Sequence, residues 1–134
     1  MEFKELMAAR RSVRRFSDRA VPREVVDRIL AEALTAPSSR NSRSTRFLVV
    51  DRHDLIARMA GMRDYGSAFM EGAPLAVVVL GDTAASDLWR VNAAISATVL
   101  QLACVDEGLA EGEQVVTAGQ QKLRDGMKVI PVKR

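Results

Sequence analysis

The segment Asp87–Leu109 constrains the fold most. Read as one helix it runs about 35 Å, with Leu88, Val91, Ile95, Val99 and Leu102 on one apolar line and Ala93, Ala97, Leu100 and Cys104 on a second. A helix apolar on two sides must be buried on two sides. In a chain of 134 residues that places it at the centre of the fold or at a subunit interface.

The rest of the chain supplies shorter elements for it to organise. Phe3–Ala9 reads as a short helix with Phe3, Leu6 and Met7 on one face, and Ser12–Phe16 as an extended connector. Pro22 suits the first position of a second helix. Its stripe is Val25, Val26, Ile29, Leu30, Ala33 and Leu34, and Pro37 is expected to stop it. Residues 37–44 (PSSRNSRS) form a polar loop, and Arg46–Asp51 reads as a buried strand. Helices are predicted at His53–Met62 and Tyr65–Glu71. Leu75–Leu80 is rich in β-branched residues and is expected to be covered on both faces. After Leu109 the texture changes. Gln114–Thr117 and Met127–Val132, separated by turn signals at Gly119 and Asp125-Gly126, read as a hairpin-like unit.

Composition removes several kinds of chemistry. The single cysteine, Cys104, excludes an internal disulfide and a cysteine-rich zinc site, and the single histidine, His53, argues against a His-based metal centre or a Ser-His-Asp triad. Cys104 reads as a small core residue, His53 as a solvent-facing residue at a helix start and Trp89 as a packing anchor. Tyr65 and Phe69 read as core or interface packing, and Ser17 and Asp18 as turn residues. The longest strongly apolar run, Ala73–Gly81, is far short of a membrane span, and the N-terminus carries charge from Glu2 onward, so no membrane association is expected and a cytoplasmic setting is.

The net charge of +3 is unevenly placed. Arg10, Arg11, Arg14, Arg15, Arg19 and Arg23 crowd together, and Arg40, Arg43 and Arg46 form a second group. Guanidiniums beside a hydroxyl and free backbone N–H groups suit a phosphate, because arginine donates in a planar fork and stays charged. By itself this leaves two readings open, an anion site and a solvated basic face. A nucleic-acid partner is not expected: there is no basic recognition helix, zinc signature or aromatic–basic interleaving.

The order RRSVRRF, helix, APSSRN, RFLVV strand, then DYGSAFMEGAPLAVVVL and VNAAISATVLQLACVDEGL resembles the nitroreductase family of FMN-dependent oxidoreductases, over residues 1 to about 109. The resemblance implies an α+β fold, a small mixed or antiparallel sheet packed by helices around a long central helix, truncated at its C-terminal side. It implies that Arg10, Arg11 and Ser12 face the FMN phosphate and ribityl chain. Arg14 would lie near the flavin N1/O2 edge, where reduction places negative charge. The loop Pro37, Ser38, Ser39, Arg40 and Asn41 would reach a flavin held mainly by the other subunit of an intertwined homodimer. The activity implied is hydride transfer from NAD(P)H through flavin to a nitroaromatic or quinone-like acceptor. No catalytic side chain is then required, because the cofactor carries the chemistry. The alternative is a dimerisation scaffold of the same fold that no longer binds flavin.

Three stretches depart from the family pattern. Arg43-Ser44-Thr45 stands where Gln-Pro-Trp is common, and Asn92 where an Asp is common. Residues 110–134 do not continue the family pattern. Residues 108–134 resemble the C-terminal β segment of periplasmic adaptor (membrane fusion) subunits of efflux pumps, and the chain is divided into a nitroreductase-like part, 1–109, and a tail, 110–134.

Overall fold

β2 (Leu75–Gly81) is the middle strand of a three-stranded sheet, with β1 (Thr45–Val50) antiparallel on one side, Leu48 opposite Val78, and β3 (Val115–Ala118) parallel on the other, Val77 opposite Thr117. The computed structural model describes residues 1–109 and the strand 115–118. Four helices surround the sheet: α1 (Phe3–Ala9), α2 (Arg23–Ala33), α3 (His53–Ala60) and α4 (Trp89–Asp106). Short 3-10 turns at Ser39–Asn41 and Ala68–Gly72 complete the described elements. The fold is α+β with a mixed sheet, as expected.

β3 makes a pairing that the expected hairpin does not include: Val115–Ala118 extends the main sheet, so the free edge of β2 finds backbone partners. Parallel pairing needs a long crossover, and α4 lies between the two strands in the chain. The other arm, Met127–Val132, and the rest of the tail lie outside the described residues.

The core lies where α2 and α4 cover one face of the sheet. Val26, Ile29 and Ala33 of α2 meet Leu75 and Val77 of β2, with Leu100, Ala103 and Cys104 of α4. On the opposite face Ile56 of α3 packs with Ala76 and Val50. The first half of β2 is therefore covered on both sides, as its unbroken apolar run suggests, whereas Val78–Gly81 are half-buried. β1 is an edge strand and is less buried than expected, with Arg46 exposed between buried Thr45 and half-buried Phe47.

Two helix boundaries also shift. Pro22 is the residue capping α2, not its first helical residue: its backbone is extended and its carbonyl accepts the N–H groups of Val25 and Val26. α2 ends at Ala33, ahead of Pro37, in a turn where the Thr35 hydroxyl donates to the Glu32 carbonyl at 2.7 Å. The last apolar residue of its stripe, Leu34, is consequently exposed. Tyr65–Glu71, expected to be helical, holds only the 3-10 turn from Ala68, and Tyr65 is 88% exposed rather than packed.

α4 spans about 27 Å, shorter than the expected segment at both ends. Its buried face carries Asn92, Ala93, Ser96, Leu100, Ala103, Cys104 and Val105. The line that begins at Leu88 is bare over its first part within one chain: Leu88, Val91 and Ile95 are 46%, 53% and 36% exposed. Phe3 and Met7 of α1 are exposed as well, and α1 buries no residue of its own. At the far end of α4 the Arg28 guanidinium grips Glu107 through two bonds, of 2.8 and 2.7 Å, tying α2 to α4. Among the described residues no helix is long and apolar enough to cross a membrane.

Candidate functional site

The first group of sequence-predicted residues follows α1 on a segment that belongs to no helix or strand. Arg10 caps α1, its N–H donating to the Leu6 carbonyl at 3.1 Å, and its extended ψ turns the chain out of the helix. The Arg11 guanidinium folds back on the carbonyls of Ala8 and Arg10, and Ser12 is exposed. Arg14 lies 5.0 Å above the ring of Phe69, which in turn meets Phe16 at 6.1 Å between centroids. The Phe16–Phe69 pair rests on Ala60, Met70 and Ala73. A guanidinium over an aromatic face keeps its charge and its in-plane N–H groups available while the stacking restrains its position. Phe69 therefore has a role that the sequence did not single out, as the platform for Arg14.

The second group is built differently. Pro37, Arg40 and Asn41 are exposed, and Ser38 and Ser39 are half-buried. Arg40, Asn41 and Arg43 all take positive φ, at 51°, 51° and 48°. Non-glycine residues in that region are disfavoured, asparagine least, so the surrounding structure must hold them there. The holding groups are specific. The Ser38 hydroxyl oxygen accepts the Arg43 N–H at 2.9 Å, and the buried Asn92 side chain reaches out of α4 to three points of the loop. Just beyond, the Ser96 hydroxyl donates to the Thr45 hydroxyl at 3.1 Å, and the Asp82 N–H donates to the Ser44 carbonyl at 2.7 Å.

No hydrogen bond, ion pair or ring contact among the described residues joins 10–14 to 37–41. Within one chain the first group is anchored beside α3 and the 68–72 turn, and the second on the first turns of α4. Both groups offer cations, hydroxyls and amides to solvent. This donor set fits an anionic, oxygen-rich ligand such as a flavin mononucleotide.

The remaining candidates behave as bland residues. Cys104 is buried in the core, and burial pushes its thiol up to about 12, which leaves it protonated and unreactive. His53 is exposed in the first turn of α3. Ser17 accepts the Arg19 N–H at 3.3 Å in a turn. Among the described residues no cluster of His, Cys, Asp and Glu could hold a metal ion.

Residues 7–63 match the Nitroreductase family. A Methanothermobacter thermautotrophicus protein named for NADH dehydrogenase/NAD(P)H nitroreductase activity is 31% identical over 112 residues, which cover 81% of this chain and 58% of that protein. The iodotyrosine deiodinase of Haliscomenobacter hydrossis is 40% identical over 58 residues, 43% of this chain and 26% of that protein. Among solved structures, an FMN-dependent nitroreductase from Clostridium difficile superposes with a TM-score of 0.74 at 36% identity, covering 77% of this chain and 60% of that one. A Desulfovibrio desulfuricans protein named as a nitroreductase and solved in complex with FMN gives 0.69 at 30% identity, covering 77% and 62%. The chain thus spans about three-fifths of the length of the proteins named as nitroreductases and about a quarter of the deiodinase. None of them supports the efflux-adaptor resemblance of the tail, which falls largely outside the described residues.

Proposed function

We propose, taking the nitroreductase-like fold as the premise, that this chain is a flavin-dependent oxidoreductase that passes hydride from NAD(P)H to a nitroaromatic or quinone-like acceptor, working as a cytoplasmic homodimer. The observation that carries the reading is the pairing of that fold with a cation-and-hydroxyl segment, half-buried Arg10 with exposed Arg11, Ser12 and Arg14, at the place where the resemblance puts the FMN phosphate.

In this reading Arg10, Arg11 and Ser12 hold the phosphate end through charge-assisted hydrogen bonds. Arg14, steadied on Phe69, sets a fixed positive charge where negative charge develops on reduction. FMN, when bound, supplies the hydride-accepting and hydride-donating centre. Pro37, Ser38, Ser39, Arg40 and Asn41 present amides and hydroxyls toward the flavin of the partner subunit. The bare line Leu88, Val91 and Ile95 on α4 supplies an apolar surface on which two copies can meet. Proteins named as nitroreductases and as deiodinases both match this chain, so the likeness by itself does not choose the acceptor.

The test is an FMN titration of the purified full chain, followed by flavin fluorescence and the visible absorption band. Saturable quenching with one FMN per chain, and bleaching of the bound flavin by NADH or NADPH, are expected. A folded dimer that binds no FMN at high concentration would overturn the reading and leave the scaffold alternative.

A further inference from the structure

Asn92 is an amide on the buried face of α4, 1% exposed, and every polar atom of its side chain is used. Its Oδ1 accepts the Ser39 N–H at 2.9 Å, and its Nδ2 donates to the hydroxyl oxygens of Ser42 at 3.2 Å and Ser44 at 2.9 Å. The amide cannot be turned over without loss, because a backbone N–H can only donate and must face the oxygen. One side chain therefore ties the beginning, middle and end of a loop that holds three residues at positive φ.

We propose that Asn92 is the positioning residue of the flavin-facing loop: it fixes Ser38–Asn41 in the geometry in which they meet FMN, without touching FMN itself. The assignment rests on the flavin reading above. An amide suits this place because it offers one acceptor and one donor group to partners of both kinds. The hydroxyls of Ser42 and Ser44 can each donate or accept, so a carboxylate of the same shape can keep the clamp once those hydroxyls rotate to donate. An alanine can keep neither half. The loop would then leave the Ser39 N–H without its acceptor and populate other conformations, and ligand binding would carry the cost of reordering it.

The experiment compares wild type, Asn92→Ala, Asn92→Asp and Ser42→Ala by amide hydrogen exchange at Ser39 and by FMN titration, on full-length protein below its melting temperature. For Asn92→Ala the expected result is exchange at Ser39 accelerated by roughly 10-fold or more, and FMN bound roughly 10-fold more weakly. Helix content should be unchanged. Asn92→Asp is expected to restore most of both. Should Asn92→Ala fail to fold, Ser42→Ala removes one partner outside the deep core and is expected to move both readouts in the same direction by a smaller factor. Unchanged Ser39 exchange in a folded Asn92→Ala overturns the clamp. Faster exchange with unchanged FMN affinity overturns the positioning role. Wild type that binds no FMN overturns the flavin reading and the flavin part of this assignment, while Ser39 exchange still decides whether the clamp exists.

Discussion

The indole of Trp89 lies directly on the backbone of Gly81: a β-carbon at position 81 would stand 2.2 Å from Trp89 Cε3. The contact joins the end of the central strand to the first turn of α4, three residues before Asn92. Arg90 lies 4.8 Å over the same indole, so the ring is enclosed between a strand end and a cation. This close approach sets where α4 begins and, through Asn92, where the 38–44 loop is held.

Gly81→Ala is therefore expected to be destabilising beyond any strand-propensity gain, because a large side chain and a helix start must shift to admit one methyl. A cost of about 1–3 kcal/mol is typical of such overpacking. Denaturant melts of the variant and wild type measure it. A loss below that range would mean that Trp89 moves aside freely and does not set the start of α4.

The Arg28–Glu107 pair makes a contribution to stability that depends on pH. The bidentate guanidinium holds the Glu107 carboxyl below the usual carboxylate value, chiefly through hydrogen bonding, and the same contact raises Arg28. A carboxylate with a depressed folded value contributes above its unfolded value and loses that contribution as pH falls through the folded one. Thermal melts should show Glu107→Gln slightly below wild type near pH 7 and converging on it under acid conditions. Arg28 is exposed on its solvent side, so water screens the pair and the gap at neutral pH is expected to be small. Curves that stay parallel down to acid would show that the bridge contributes nothing.

Cys104 offers a reporter of global opening. With its thiol pushed up to about 12 and its side chain in the α2–β2–α4 core, native protein at pH 8 should react with a thiol reagent only as fast as it unfolds. Reaction rates measured across denaturant should follow the unfolding curve. Rapid labelling in native buffer would mean that the α2–α4 seam opens locally.

The exposed line of α4 predicts the effect of charge on assembly. Val91→Asp and Ile95→Asp place carboxylates on a surface whose present residues are 53% and 36% exposed in one chain. Neither position is in the core, so the monomer fold should survive. Light scattering is expected to show wild type as a dimer and the double variant as a monomer, with FMN binding weakened in parallel because the partner's loop is removed. A double variant that remains dimeric would move the interface to another face.

Periodicity and turn chemistry made most of the elements legible before any coordinate. β-branched runs gave β1 and β2, and 3.6-residue spacing gave α2, α3 and α4, because these patterns depend only on which side chains must leave water. The arginine–serine segment and the PSSRN loop were visible as chemistry for the same local reason. Tertiary structure alone decided what lies far apart in the chain. α4 is apolar on two sides, yet one chain covers only the Ala93–Leu100–Cys104 side, because α2 and the sheet supply one surface and no described element supplies the other. β3 is a parallel partner of β2, a pairing no local pattern announces, since an open sheet edge takes whatever backbone reaches it. Asn92, legible only as a departure from a family pattern, became the tie of the 38–44 loop. Its partners lie some fifty positions earlier in the chain, and a hydrogen bond across that span exists only once the helix and loop are packed together.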